Sequence, residues 1–106
     1  MSEREARVAK NEAVFREVNE RISDITDHEE LIEFLCECSD MQCIAPVSMT
    51  RGEYERVRAE STWFFVVPGH STDDIETVVE EHARFHIVQK RAGIPAAVAI
   101  ETDPRD

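Results

Sequence analysis

The chain predicts a single α+β domain, and three observations carry that prediction. Apolar residues recur at helical spacing early on, at Val14, Phe15, Val18, Ile22 and Ile25. Short runs rich in β-branched and aromatic residues follow, the strongest being Trp63-Phe64-Phe65-Val66-Val67. A length of 106 residues leaves room for one modest core. We therefore expect a long amphipathic N-terminal helix, a mixed or antiparallel sheet of roughly four or five strands, and two short helices. The domain is expected over residues 11–101, with 1–10 a flexible N-terminus or an extra helical turn and 102–106 a polar tail.

The first helix begins near Asn11, a good cap, and Thr26-Asp27-His28 breaks its pattern, leaving His28 to solvent. Ile32 to Cys38 reads as a strand, with Phe34, Cys36 and Cys38 on one face and Leu35 and Glu37 on the other. Ser39-Asp40-Met41-Gln42 forms a turn, and Cys43 to Met49 returns as a second strand whose outer edge Pro46 marks as unpaired. Thr50 and Glu53 make a capping box for a helix from Arg51 to about Ala59, with Tyr54 and Val57 buried.

Trp63 to Val67 is apolar on both faces and is expected to be a central strand, ended by Pro68-Gly69-His70. Ser71 or Thr72, followed by Asp73, Asp74 and Glu76, suggests another helix start, with Ile75, Val78, Val79 and His82 as its buried stripe. Arg84 to Lys90 reads as a strand, and Ala96 to Ile100 as a last edge strand.

Charge narrows the function classes. With 23 acids against 12 bases the formal charge is −11, a field that repels phosphate backbones and argues against direct nucleic-acid binding. The charged N-terminus does not resemble a signal peptide, and no apolar run nears the ~18 residues of a membrane span. The expected setting is the cytoplasm, where thiols stay reduced. Three cysteines also make an awkward disulfide framework.

All three lie within eight residues, as Cys36-x-Cys38-x4-Cys43. A Cys-x-Cys pair on a strand places both sulfurs on one face, and a short turn returns the third beside them. Three thiolates supply most of a tetrahedral zinc site. The competing readings are three small buried hydrophobes or a redox thiol. For the fourth ligand we select His70, which sits on a Pro-Gly turn ahead of the expected helix start, where the dipole favours neutral imidazole. His82 and His86, an acid or water are the alternatives. No cysteine begins an expected helix and no Gly-rich phosphate loop exists, so little points to catalysis.

The segments NEAVFREVNERI (11–22), FLCECSD (34–40) with Cys43, EYERVR (53–58), FVVPGH (65–70) and ETDPR (101–105) together resemble a family of small, acidic, uncharacterised bacterial proteins, found mainly in high-GC Gram-positive bacteria. The resemblance covers nearly the whole chain and implies that Cys36, Cys38, Cys43 and His70 belong to one site. The resulting expectation is a non-enzymatic domain with one structural zinc ion, acting through a protein partner. A small metalloenzyme or thiol-redox protein, and an acidic nucleic-acid mimic that binds a basic protein, are the alternatives.

Overall fold

A computed structural model of the protein describes residues 3–25, 31–38, 40 and 42–105. Helix α1 (Glu3–Ile25) includes residues 3–10, where a flexible start or an extra helical turn was expected. The periodic apolar residues mark its buried face only in part: Phe15 is buried and Ile22 packs against the core. Val14, Val18 and Ile25 are 51%, 38% and 83% exposed, whereas Glu12, Arg16, Asn19 and Ser23 are buried along one stripe with Ala9, Ala13 and Phe15. The polar stripe is buried because specific partners meet it. The Arg16 guanidinium lies 4.4 Å from the Phe64 ring centre and donates to Ser61 O and Ala99 O, both at 2.6 Å. The Asn19 amide pairs with both backbone groups of Leu35 at 2.8 Å, as a neighbouring strand would.

Strands β1 (Ile32–Leu35) and β2 (Pro46–Met49) pair antiparallel, with Phe34 opposite Val47. Among the described residues β1 is the sole strand partner of β2, as Pro46 indicated. Helix α2 (Arg51–Arg58) carries the expected capping box: Glu53 N–H donates to Thr50 Oγ1 and Thr50 N–H to the Glu53 carboxylate. It buries Tyr54, which stacks on Phe34 at 4.5 Å, and Phe65 meets both rings edge-on. The expected break at Thr26-Asp27-His28 lies outside the described residues.

The second sheet has the order β3 (Trp63–Val66), β5 (His86–Lys90), β4 (Glu76–Glu81), all antiparallel. Three expectations are corrected here. First, β3 is a sheet edge and β5 is central. Hydrophobicity on both faces of β3 reports layers above and below it rather than strand neighbours. Its outer side is still engaged, because Glu37 N–H donates to Phe65 O at 3.0 Å.

Second, the helix expected after Ser71 is strand β4. One turn does form, with Ile75 and Glu76 N–H on Thr72 O, before the β-branched Thr77-Val78-Val79 segment pairs with β5, bulging between Val78 and Glu80. Third, the edge strand expected at Ala96–Ile100 is helix α3 (Ile94–Glu101). Its alanines favour helix, Pro95 suits the first turn, and Gly93 precedes it at φ 102°, a conformation glycine adopts without strain.

The segment after α3 is a clasp. Asp103 accepts from Ser61 Oγ and from the buried Arg58, and Arg105 bridges Glu20 and Glu55. Burial works against ionising Asp103, but the Arg105 N–H, Ser61 and Arg58 outweigh it and hold the carboxyl down to about 2. Asp103→Asn is expected to lower stability by about 2 kcal/mol, read as the urea midpoint, because one charge-assisted bond to a buried guanidinium is lost. The Cα radius of gyration, 12.7 Å, matches the ~13 Å of one compact domain this long.

Beneath α1, Lys90 is buried between Glu12 and Glu76 with its ammonium 4.7 Å from the Phe64 ring centre. Two carboxylates share one ammonium, and all three side chains are shielded from solvent. Burial pushes the Glu76 carboxyl up to about 7 against the Thr72 N–H, with Asp73 and Asp74 adding to the rise. A raised carboxyl stabilises the fold below its ordinary value of 4.5 and loses that contribution as pH climbs through 7. Glu76→Gln should therefore gain on the wild type between about pH 5 and pH 8, by at most ~3 kcal/mol. Urea midpoints of the two proteins at each pH measure this, and their difference cancels much of the pH dependence they share. A constant difference across that window would sink the prediction.

Candidate metal centre

Strand alternation builds the first half of the site. Cys36 extends β1 by donating its N–H to Ala45 O at 3.0 Å, so Cys36 and Cys38 share a face while Glu37 turns inward. Glu37 is fully buried, its carboxylate accepting from Asn19 Nδ2 at 2.8 Å and from Phe65 N–H at 3.2 Å. Burial pushes that carboxyl up to about 7, against those two donors and the nearby Arg16 and Arg58 charges. Glu37 and Asn19 therefore fix the direction of the cysteine segment. The reading of Glu37 as a plain strand residue missed this, although an acid between two cysteines at an inward position was the available signal.

A turn at Asp40 brings back the third sulfur. Asp40 accepts from Gln42 N–H through Oδ1 and from Cys43 N–H through its carbonyl, both at 2.9 Å. Ser39 and Met41 of that turn lie outside the described residues. Beyond β3 the chain reverses at Pro68-Gly69, where Gly69 adopts φ 93°, and His70 N–H donates to Val67 O at 2.9 Å. Because a side chain at that φ is strained, glycine serves to aim His70 back at the cysteines.

The four predicted ligands meet. Cys36, Cys38, Cys43 and His70 each offer one donor atom, and these atoms all lie within 4.8 Å of one another. His70 Nδ1 is 3.5 Å from Cys36 Sγ and 3.7 Å from Cys43 Sγ. A tetrahedron with metal–sulfur bonds of about 2.3 Å and metal–nitrogen bonds of about 2.0 Å has sulfur–nitrogen edges of about 3.5 Å and sulfur–sulfur edges of about 3.8 Å. The two sulfur–nitrogen distances match those edges.

The electrostatics agree. Burial pushes the Cys36 thiol far above its ordinary value, opposed by the Val67 N–H, which donates to its sulfur at 3.2 Å, and reinforced by Cys38 and Cys43. Cys38 is raised by burial as well, against the Asp40 N–H. Cys36 and Cys38 therefore resist ionising on their own, and a divalent cation removes that obstacle. The free cysteines form no disulfide.

The alternative histidines stand elsewhere. His82, expected at a core edge on a helix, is exposed just past β4 and pairs with Glu80 Oε1 at 2.9 Å. That correction follows from β4 being a strand. His86 is half-buried in β5, and neither histidine joins the cluster. A cleft of about 250 Å³ borders the centre, lined by Cys38, Asp40, Gly69, His70 and Ser71.

Fold and site together define a small α+β domain whose three cysteines and one histidine are placed to hold a metal ion. Compared with protein-family models, curated proteins and solved structures, the chain matches none. Among the described residues no helix is long and apolar enough to cross a membrane.

Proposed function

We propose that the chain is a non-enzymatic zinc-binding domain in which the metal is structural and the acidic surface serves protein interaction or regulation. The observation that carries this reading is the set of four donor atoms from three separate segments, all within 4.8 Å of one another and with His70 Nδ1 3.5 and 3.7 Å from two of the sulfurs. A sulfur-rich tetrahedral donor set suits zinc, and four protein ligands leave no open position for a substrate. Bound there, zinc would cross-link the end of β1, the Asp40 turn and the Pro68-Gly69 turn. The charge of −11 favours a protein partner with a basic surface over nucleic acid or an anionic membrane.

Elemental analysis of protein purified without chelator tests the reading, alongside thiol titration. About one zinc per chain with shielded thiols is expected, and His70→Ala should weaken retention of the metal. Metal-free protein with three freely titrating thiols would overturn it.

A further inference from the structure

We propose that this centre is a peroxide-sensitive metal site, in which oxidation joins Cys38 to Cys43 and releases the ion. The inference rests on the zinc reading above and adds to it a form of regulation. Burial of the four ligands is uneven. Cys36 is fully buried, its N–H held by Ala45 O and its sulfur by the Val67 N–H. Cys43 is half-buried on residues 42–45, which belong to no strand, and His70 sits at the solvent-facing rim. Cys38 is buried at 3% exposure but lines the cleft on that side, whereas Cys36 does not, so a small polar oxidant entering the cleft approaches Cys38 before Cys36.

Freedom to move selects the pair. The Cys36, Cys38 and Cys43 sulfurs all lie within 4.8 Å of one another, and Cys38 is within hydrogen-bonding reach of both of the others. A disulfide needs its sulfurs about 2.05 Å apart, and the loop bearing Cys43 is the segment able to close that gap. Cys36, held at backbone and sulfur, is the one least able to move.

The chemistry balances with a hydroperoxide as oxidant. The Cys38 thiolate attacks one peroxide oxygen, the O–O bond breaks, and a sulfenic acid forms with hydroxide leaving. The Cys43 thiolate then attacks the Cys38 sulfur, forming the S–S bond and displacing a second hydroxide. Two thiolates lose two electrons in total, the peroxide gains them, and two protons from solvent complete two molecules of water when the oxidant is hydrogen peroxide. The ion keeps only Cys36 and His70 and dissociates.

The test uses the zinc-loaded full chain and hydrogen peroxide, with a chromogenic chelator reporting freed metal. Non-reducing peptide mapping after alkylation locates the thiols. Expected is release of about one zinc per chain, a Cys38–Cys43 cross-linked peptide lighter by two hydrogens, and an alkylatable Cys36. Dithiothreitol with added zinc should restore the starting state. Zinc and shielded thiols that survive a large excess of peroxide would overturn the inference and leave the structural-zinc reading standing. So would a disulfide containing Cys36, or sulfinic acid without any disulfide. A chain that neither carries nor takes up zinc before peroxide is added fails the zinc reading itself, and the inference falls with it.

Discussion

Cys36→Ser is expected to empty the metal centre and remove most of the stability of the fold. The Cys36 sulfur lies 3.5 Å from His70 Nδ1, accepts the Val67 N–H and is packed with the main core, all at zero exposure. Serine offers a harder, shorter donor that cannot span the same tetrahedron. Structural zinc contributes on the order of 10 kcal/mol in small domains, as much as the ~5–15 kcal/mol net stability of a typical whole domain. Metal content should fall from about one ion per chain to near zero. The thermal midpoint should drop by ~20 °C or more, or the cooperative transition should vanish. A strong chelator acting on the unaltered chain should reproduce the loss, and added zinc should reverse it. A Cys36→Ser protein that melts with the wild type, with or without chelator, would show that the metal does not hold the fold together.

Lys90→Met should cost about 3–5 kcal/mol, the range for breaking a buried ion pair by removing one partner. Lys90 is the ammonium that Glu12 and Glu76 share, and all three side chains have zero exposure. Without it, two carboxylates face each other in a fully buried site where Glu12 has no other hydrogen-bond donor among the described residues. Methionine keeps the length and the contact with Phe64 but not the charge. Replacing the triad together, as Glu12→Leu, Lys90→Met and Glu76→Leu, should recover most of the loss, because an apolar cluster leaves no charge unmatched. Urea unfolding of the single and triple variants decides between these outcomes. If the triple variant is as unstable as the single one, the cost lies in packing rather than in stranded charge.

The triad also shows why α1 was misread. An argument from periodicity equates burial with apolar side chains, so it places Val14 and Val18 on the buried face and has no reason to bury Glu12, Arg16 and Asn19. The structure reverses this because each polar group has a partner far along the chain: Asn19 meets Leu35, 16 residues away, and Arg16 meets Ala99, 83 residues away. No local window contains those pairings.

The α+β class, the long first helix, the capped α2 and the strands at 63–66 and 86–90 were legible because turn chemistry and side-chain alternation are short-range. So was the clustering of Cys36, Cys38, Cys43 and His70 as a possible metal site. Three cysteines within eight residues and a histidine on a Pro-Gly turn place four donors through local geometry, and the long-range step needed was the pairing that lays β3 beside Glu37. Segments 76–81 and 94–101 were assigned the wrong way round for the same physical reason. A few residues of acids before valines, or of alanines among apolar neighbours, suit helix or strand almost equally. Which one forms depended on whether β5 offered the segment a free edge to pair with, and that edge exists only once the chain has folded.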